Sequence, residues 1–208
     1  MLRHLASAST LIIFGTLILA ASIFRVASVK YTFKLDPTPF PDNLSQIDAV
    51  SYSLPYPGRI EPSDFFWSLK ALRDKLWLTF NMNPLKKAEI SLLLADKRLV
   101  SGKKMFDSNE VNTGISVLQK SELYLSESVK YLVEAEAEEM DITSFVGTLS
   151  LASVKHRAIL ETILSQAPED AKPFLIEIIN HPKEVYEQTS HIMNSLGREP
   201  APNPFTGQ

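Results

Sequence analysis

Apolar residues recur at steps of three and four through most of the chain, the spacing that places them on one face of an α-helix. The most regular stretch follows Asn83-Pro84, where Leu85, Ala88, Leu92, Ala95, Leu99, Gly102 and Phe106 alternate by three and four without a break. Asn83 is a good N-cap and Pro84 suits the first helical turn, so a helix is expected to start there. Its stripe is narrow and carries small residues, like a coiled-coil seam that lets a partner helix approach closely. Before it, Phe65, Leu69, Leu72, Leu76 and Phe80 predict a helix over about Ser63 to Phe80. Phe66, Trp67 and Trp77 add apolar surface elsewhere on that helix, so it is expected to touch more than one neighbour.

Three further helices follow. Val111, Ile115, Leu118, Leu125, Val129 and Leu132 predict one over about Glu110 to Glu138. Phe145, Leu149, Ala152, His156, Ile159 and Ile163 predict the next, from about Thr143 to Gln166, capped by Asp141 or Thr143. The last starts near Pro168 and carries Phe174, Ile178, Val185, Ile192 and Leu196, with Pro182 expected to break or kink it and Gly197 to stop it. No segment holds a two-residue alternation beyond a few positions. The expected fold is all-α: an up-and-down bundle of long antiparallel helices, behind one N-terminal transmembrane helix.

That first segment runs from Leu5 to Phe24 without a charge, after Arg3 and His4. A helix of about 20 residues spans a bilayer of about 30 Å. A cleaved signal peptide, cut near Ala21 or Ser22, and a buried N-terminal core helix are the rival readings. The apolar run continues past the best cut through Ile23 and Phe24, which favours an uncleaved anchor. Orientation signals conflict: Arg3 and the α-amino group favour a cytoplasmic N-terminus, whereas Arg25, Lys30 and Lys34 lie on the other side. The globular part is expected outside the cytoplasmic membrane.

Between anchor and bundle, Pro37, Pro39, Pro41, Pro55, Pro57 and Pro62 predict an extended linker. Its end is less bland. Tyr52, Leu54 and Tyr56 alternate on a backbone stiffened by Pro55 and Pro57, and Gly58 allows a turn towards Trp67. These residues are the candidates for docking or interaction: a strap packed on the bundle, with Tyr56 its expected anchor, or a groove for an outside partner. The domain reading is therefore 1–30 membrane anchor or uncleaved signal, 31–62 proline-rich linker and docking strap, 63–197 helical bundle, and 198–208 disordered tail.

Composition narrows the chemistry. The apolar fraction is 45% and the charged fraction 22%, suited to a folded domain. A net charge of -3 provides no global field for nucleic acid. Without cysteine there are no disulfides, thiol nucleophiles or thiolate metal sites. His156 continues an apolar stripe and is expected to be buried, with its pKa lowered unless an acidic partner is present. His181 follows Glu177 by four and His191 follows Glu187 by four, reading as surface pairs rather than a di-iron pattern. The acidic group Glu134, Glu136, Glu138, Glu139 and Asp141 lacks the ligand spacing of a calcium loop. Lys86, Lys87, Lys97, Arg98, Lys103 and Lys104 could bind an anion, but pairing with the acidic following helix is the simpler expectation. Lys86 and Lys87 would then meet Glu134 and Glu136. No nucleophile elbow, phosphate-binding glycine loop or zinc-protease motif occurs.

The run Leu54-Pro55-Tyr56-Pro57-Gly58, then Leu69 to Lys75, Lys86-Lys87-Ala88-Glu89, Leu94 to Leu99, and later Lys155-His156, resembles the bacterial family known as domain of unknown function 5667. The resemblance covers about residues 52 to 165. It implies a helical domain in a bacterial envelope protein, often behind a membrane segment, and no reaction. The aromatic start Phe65-Phe66-Trp67 departs from that pattern. The combined expectation is a non-enzymatic, extracytoplasmic helical module, held to the membrane through residues 5–24. It would bind a protein, an envelope polymer or a second copy of itself. No catalytic, metal or cofactor residue is assigned. A ligand or metal sensor that signals through the anchor is the alternative, and an enzyme with an unrecognised site the third class.

Overall fold

The computed structural model describes residues 14–18, 21 and 52–205. Five long helices make up the described domain: α1 (Trp67–Phe80), α2 (Pro84–Asp107), α3 (Val111–Ala137), α4 (Thr143–Gln166) and α5 (Lys172–Ser195). Among the described residues there is no strand. The expected membrane segment lies outside them except for residues 14–18 and 21, which are helical and exposed. No described helix is long and apolar enough to cross a membrane.

The start of α2 follows from its cap, where the Asn83 side chain accepts from the Lys86 amide at 2.8 Å. The start of α1 lies later than its apolar pattern suggests. Asp64 turns its carboxylate back to the Glu61 amide at 2.6 Å, so 61–66 form turns instead of a capped helix. Helix α5 runs through Pro182 without a break; the ring is buried, and its packing offsets the missing backbone hydrogen bond. Gly197, at φ 68°, takes the left-handed conformation that ends α5.

Helices α2 and α3 form an antiparallel hairpin held at small residues. Ser128 donates to the Ala88 carbonyl at 2.8 Å, Ser121 donates to the Ala95 carbonyl at 2.9 Å, and Gly102 lies against Leu118. Numbers rise along one helix as they fall along the other. A Cβ on Gly102 would stand 2.7 Å from Leu118 Cγ, so only glycine fits that crossing undisturbed. The α4–α5 hairpin packs on the first, burying Leu99, Leu118, Leu160, Leu175 and Ile178 in one apolar cluster. Helix α1 is peripheral: of the other four long helices its backbone comes close to α2 alone, and the described residues Gly15 and Ile18 share a cavity with its Phe66 and Leu69.

The segment from Arg198, expected to be a disordered tail, packs on the bundle over its described residues, 198–205: Ala201 is buried, its carbonyl accepts from the Tyr186 hydroxyl at 2.7 Å, and the Phe205 ring lies 4.2 Å from the Arg157 guanidinium. One expectation about charge pairing is corrected. The lysines of α2 do not pair with acidic residues of α3. Lys86 and Lys103 pair within α2, with Glu89 and Asp107, while Lys87 lies over the Tyr131 ring. Residues three and four apart on a helix are neighbours whatever the tertiary packing, so Glu89 and Asp107 are within reach of Lys86 and Lys103 on α2 itself.

Candidate functional site

Two polar constellations stand out, one sealed and one open. The sealed one crosses the middle of the bundle, where the strap, α2, α3 and α4 each contribute a residue. His156 on α4 contacts Asp96 Oδ1 of α2 through Nε2 at 3.0 Å and Glu122 Oε1 of α3 through Nδ1 at 2.8 Å. The Tyr52 hydroxyl donates to Asp96 Oδ2 at 2.7 Å, and Ser121 lies 2.9 Å from Glu122 Oε1. All five residues are fully buried.

A neutral imidazole has one N–H, whereas two carboxylates here call for a donor at each nitrogen. The protonated ring satisfies both. Burial alone would lower the His156 pKa, but the Glu122 charge and the hydrogen bonds to Asp96 and Glu122 outweigh it and raise the pKa to about 10. The condition for a lowered pKa, burial without an acidic partner, is not met, because α2 and α3 each supply an acid. Burial pushes the Asp96 carboxyl up, against the lowering pull of His156 and Tyr52. Glu122 Oε2 has no hydrogen-bond partner. The imidazole stands between the carboxylates, so they do not converge on one point. Among the described residues no cluster of three or more histidine, aspartate or glutamate side chains could hold a metal ion. The layer is a buried ion triad that ties the strap to three helices.

The open constellation is a cleft of about 440 Å³ between the strap, α1 and α2. Lys70, Arg73, Asp74 and Trp77 follow the helical repeat along the inner side of α1, and Lys97 and Arg98 answer them from α2. Asp74 is buried and takes Arg73 at 2.6 Å and Arg98 at 3.5 Å. Arg98 also lies 4.5 Å from the Tyr124 ring. Lys70 donates to the carbonyls of Pro57 and Ile60 at 3.0 and 3.2 Å and lies over the Trp67 ring at 4.5 Å. These bonds fold the strap over the cleft. Gly58, at φ 100°, makes the turn that lets both carbonyls face one ammonium.

The strap residues separate accordingly. Tyr52 is the buried anchor, Leu54 packs half-buried against two core clusters, and Pro57 and Gly58 border the cleft. Tyr56, expected to be the packed ring, is 72% exposed. Trp67 forms a wall of the cleft. His181 contacts Ser126 on α3 at 3.1 Å, in place of the expected surface pair with Glu177. Asp74, Asp96 and Glu122 were not singled out from sequence. For Glu122 a signal existed: the α3 seam steps from Leu118 to Leu125, and the position omitted between them, four residues on and three before, is Glu122. Compared with protein-family models, curated proteins and solved structures, the chain matches none of them.

Proposed function

We propose that the protein is a non-enzymatic, membrane-anchored helical module that presents its α1 face outside the cytoplasmic membrane to a protein or envelope-polymer partner. The resemblance to domain of unknown function 5667 implies the helical domain and its place in the envelope, often behind a membrane segment. The observation that carries the reading is the apolar surface on and beside α1: Phe65, Phe66, Leu69, Leu72, Phe80 and Met82 are all exposed, Phe65 at 91% and Met82 at 88%. An apolar face of this kind has a cost in water and marks an interaction surface. The ordered core does not use it, since α1 leans on α2 through Trp77 and Leu78.

Photo-crosslinkers placed at Leu72 and Phe80 in native membranes test the reading, with one at exposed Ile176 on α5 as control. The expected result is a discrete adduct from both α1 positions and none from Ile176. Adducts from neither α1 position, or the same adducts from all three, reject it. A second reading, a ligand sensor signalling through the anchor, is favoured by the cationic cleft. It predicts that crosslinking at α1 changes when the cleft is filled.

A further inference from the structure

The cleft holds more positive charge than its own bonds use. Arg59, Lys70, Arg73, Lys97 and Arg98 line it, and Asp74 is its one carboxylate. Arg73 and Arg98 converge on that carboxylate, and Lys70 is held by two strap carbonyls. Among the described residues Lys97 and Arg59 have no ion pair, although Lys97 is half-buried. The excess is local, because the whole chain carries a net charge of -3. It also has an electrostatic cost. Burial, reinforced by Arg98, Arg73 and Lys97 and opposed by Asp74, lowers the Lys70 pKa to about 8. The Lys97 pKa is lowered as well, again chiefly by burial. A bound anion would relieve both.

We propose that this cleft binds a phosphate group, with Lys97 and Arg59 as its direct ligands, the Arg73–Asp74–Arg98 cluster as a rigid cationic floor, and Trp67 and Trp77 as walls for the body that carries the phosphate. Size fits: ligand pockets run from about 300 to 1,000 Å³. Charge fits, since a phosphate monoester carries about -1.5 to -2 near neutral pH and matches several cations better than a single carboxylate does. Geometry fits, since a guanidinium fork and an ammonium that line one cleft together suit a tetrahedral oxyanion. A phospholipid headgroup and a soluble phosphorylated compound share this chemistry. The site rests on its own charges and not on the partner reading, although Ile60, Lys70 and Arg73 also border Phe66 and Leu69 of the partner face.

The chain carries its own reporter, since its two tryptophans both line the cleft. Full-length protein in non-ionic detergent micelles is titrated with inorganic phosphate, and separately with phosphatidic acid in mixed micelles, with diacylglycerol as the phosphate-free control. The expected result is a saturable change in tryptophan emission with at least one phosphate source. Saturation by inorganic phosphate identifies a soluble ligand, and saturation by phosphatidic acid alone identifies a headgroup; either supports the site. Lys97→Glu should weaken binding at least tenfold, and Lys103→Glu, whose partner is Asp107, should not. Arg59 is exposed, so Arg59→Ala should fold normally and weaken binding about fivefold, which decides the matter if Lys97→Glu fails to fold. No saturable change with either source, a response to phosphatidic acid that diacylglycerol equals while inorganic phosphate gives none, or unaltered affinity in Arg59→Ala overturns the proposal.

Discussion

The residues that matter most are the ones a hydrophobic seam should exclude. His156 and Glu122 both occupy seam positions, and each is tolerable because the other is present. A buried charge without its partner costs several kcal/mol, whereas a complete network fixes the arrangement of the elements that contribute to it. The His156 pKa of about 10 lies above the 6.5 of an unperturbed imidazole. Between those values the folded state holds a proton that the unfolded state releases. The stabilisation from this group is therefore complete below about pH 6.5 and is lost as pH rises through about 10. The expected outcome is an imidazole still protonated at pH 8 by nuclear magnetic resonance, and a denaturant midpoint that falls from pH 6.5 towards 10. A midpoint that rises over that range would contradict the triad. Tyr52 gives a second residue-level prediction. Tyr52→Phe leaves a buried lone pair on Asp96 unmet and should destabilise by about 1–3 kcal/mol. Tyr56→Ala, at an exposed ring, should stay within about 0.5 kcal/mol. Equilibrium unfolding of the two variants side by side measures the difference.

At the scale of elements, the α2–α3 hairpin depends on close approach. Ala88, Ala95 and Gly102 form one line on α2, and two of the three crossings are closed by serine side chains that donate to backbone carbonyls of the facing helix. Gly102→Ala adds a methyl that meets Leu118 Cγ at 2.7 Å and the Leu118 amide nitrogen at 3.2 Å. Overpacking of this kind costs about 1–3 kcal/mol, against a gain of about 1 kcal/mol in helix propensity. A net loss of roughly 1 kcal/mol is expected in urea unfolding, and a more stable variant would show that the helices can part there. The strap is an element of a different sort. Its described residues, 52–62, form no helix or strand, yet Tyr52, Leu54 and the carbonyls of Pro57 and Ile60 fix them at the core and over the cleft.

On the scale of the whole molecule, α2 to α5 share two large apolar clusters, whereas α1 rests on a smaller one through Trp77 and Leu78. Few buried contacts mean easier local opening. Amide hydrogen exchange should accordingly be fastest in α1 among the five helices, and slower in α1 once the cleft is occupied. Equal protection of α1 and α3 would place α1 in the cooperative core. Placement in the cell follows from the anchor proposal. Protease added to intact spheroplasts should remove residues beyond about Lys34, and a protected domain would reverse the orientation.

Helix positions were legible in the sequence because local signals set them: the Asn83-Pro84 start, the three-four apolar rhythm, and the glycine that ends α5. Long helices and the absence of strand patterning were enough to reach an all-helical bundle. The start of α1 was not legible, because the Asp64 side chain could cap a helix or close a turn, and nothing local decides between them. The candidate sites depended still more on context. Tyr52 and Tyr56 lie on the same side of an alternating run and look equivalent in sequence, but only Tyr52 reaches Asp96. That choice is made by a residue 44 positions away. Likewise, burial of His156 follows from its stripe, whereas the direction of its pKa shift needs Asp96 and Glu122 from two other helices. The lysines of α2 were expected to be neutralised across the hairpin. Tertiary packing instead turned Lys97 and Arg98 towards α1, where one carboxylate faces five cations. Periodicity reports which face of a helix is buried; which side chains meet there is decided by the register and rotation of its neighbours, and those exist only in the folded chain.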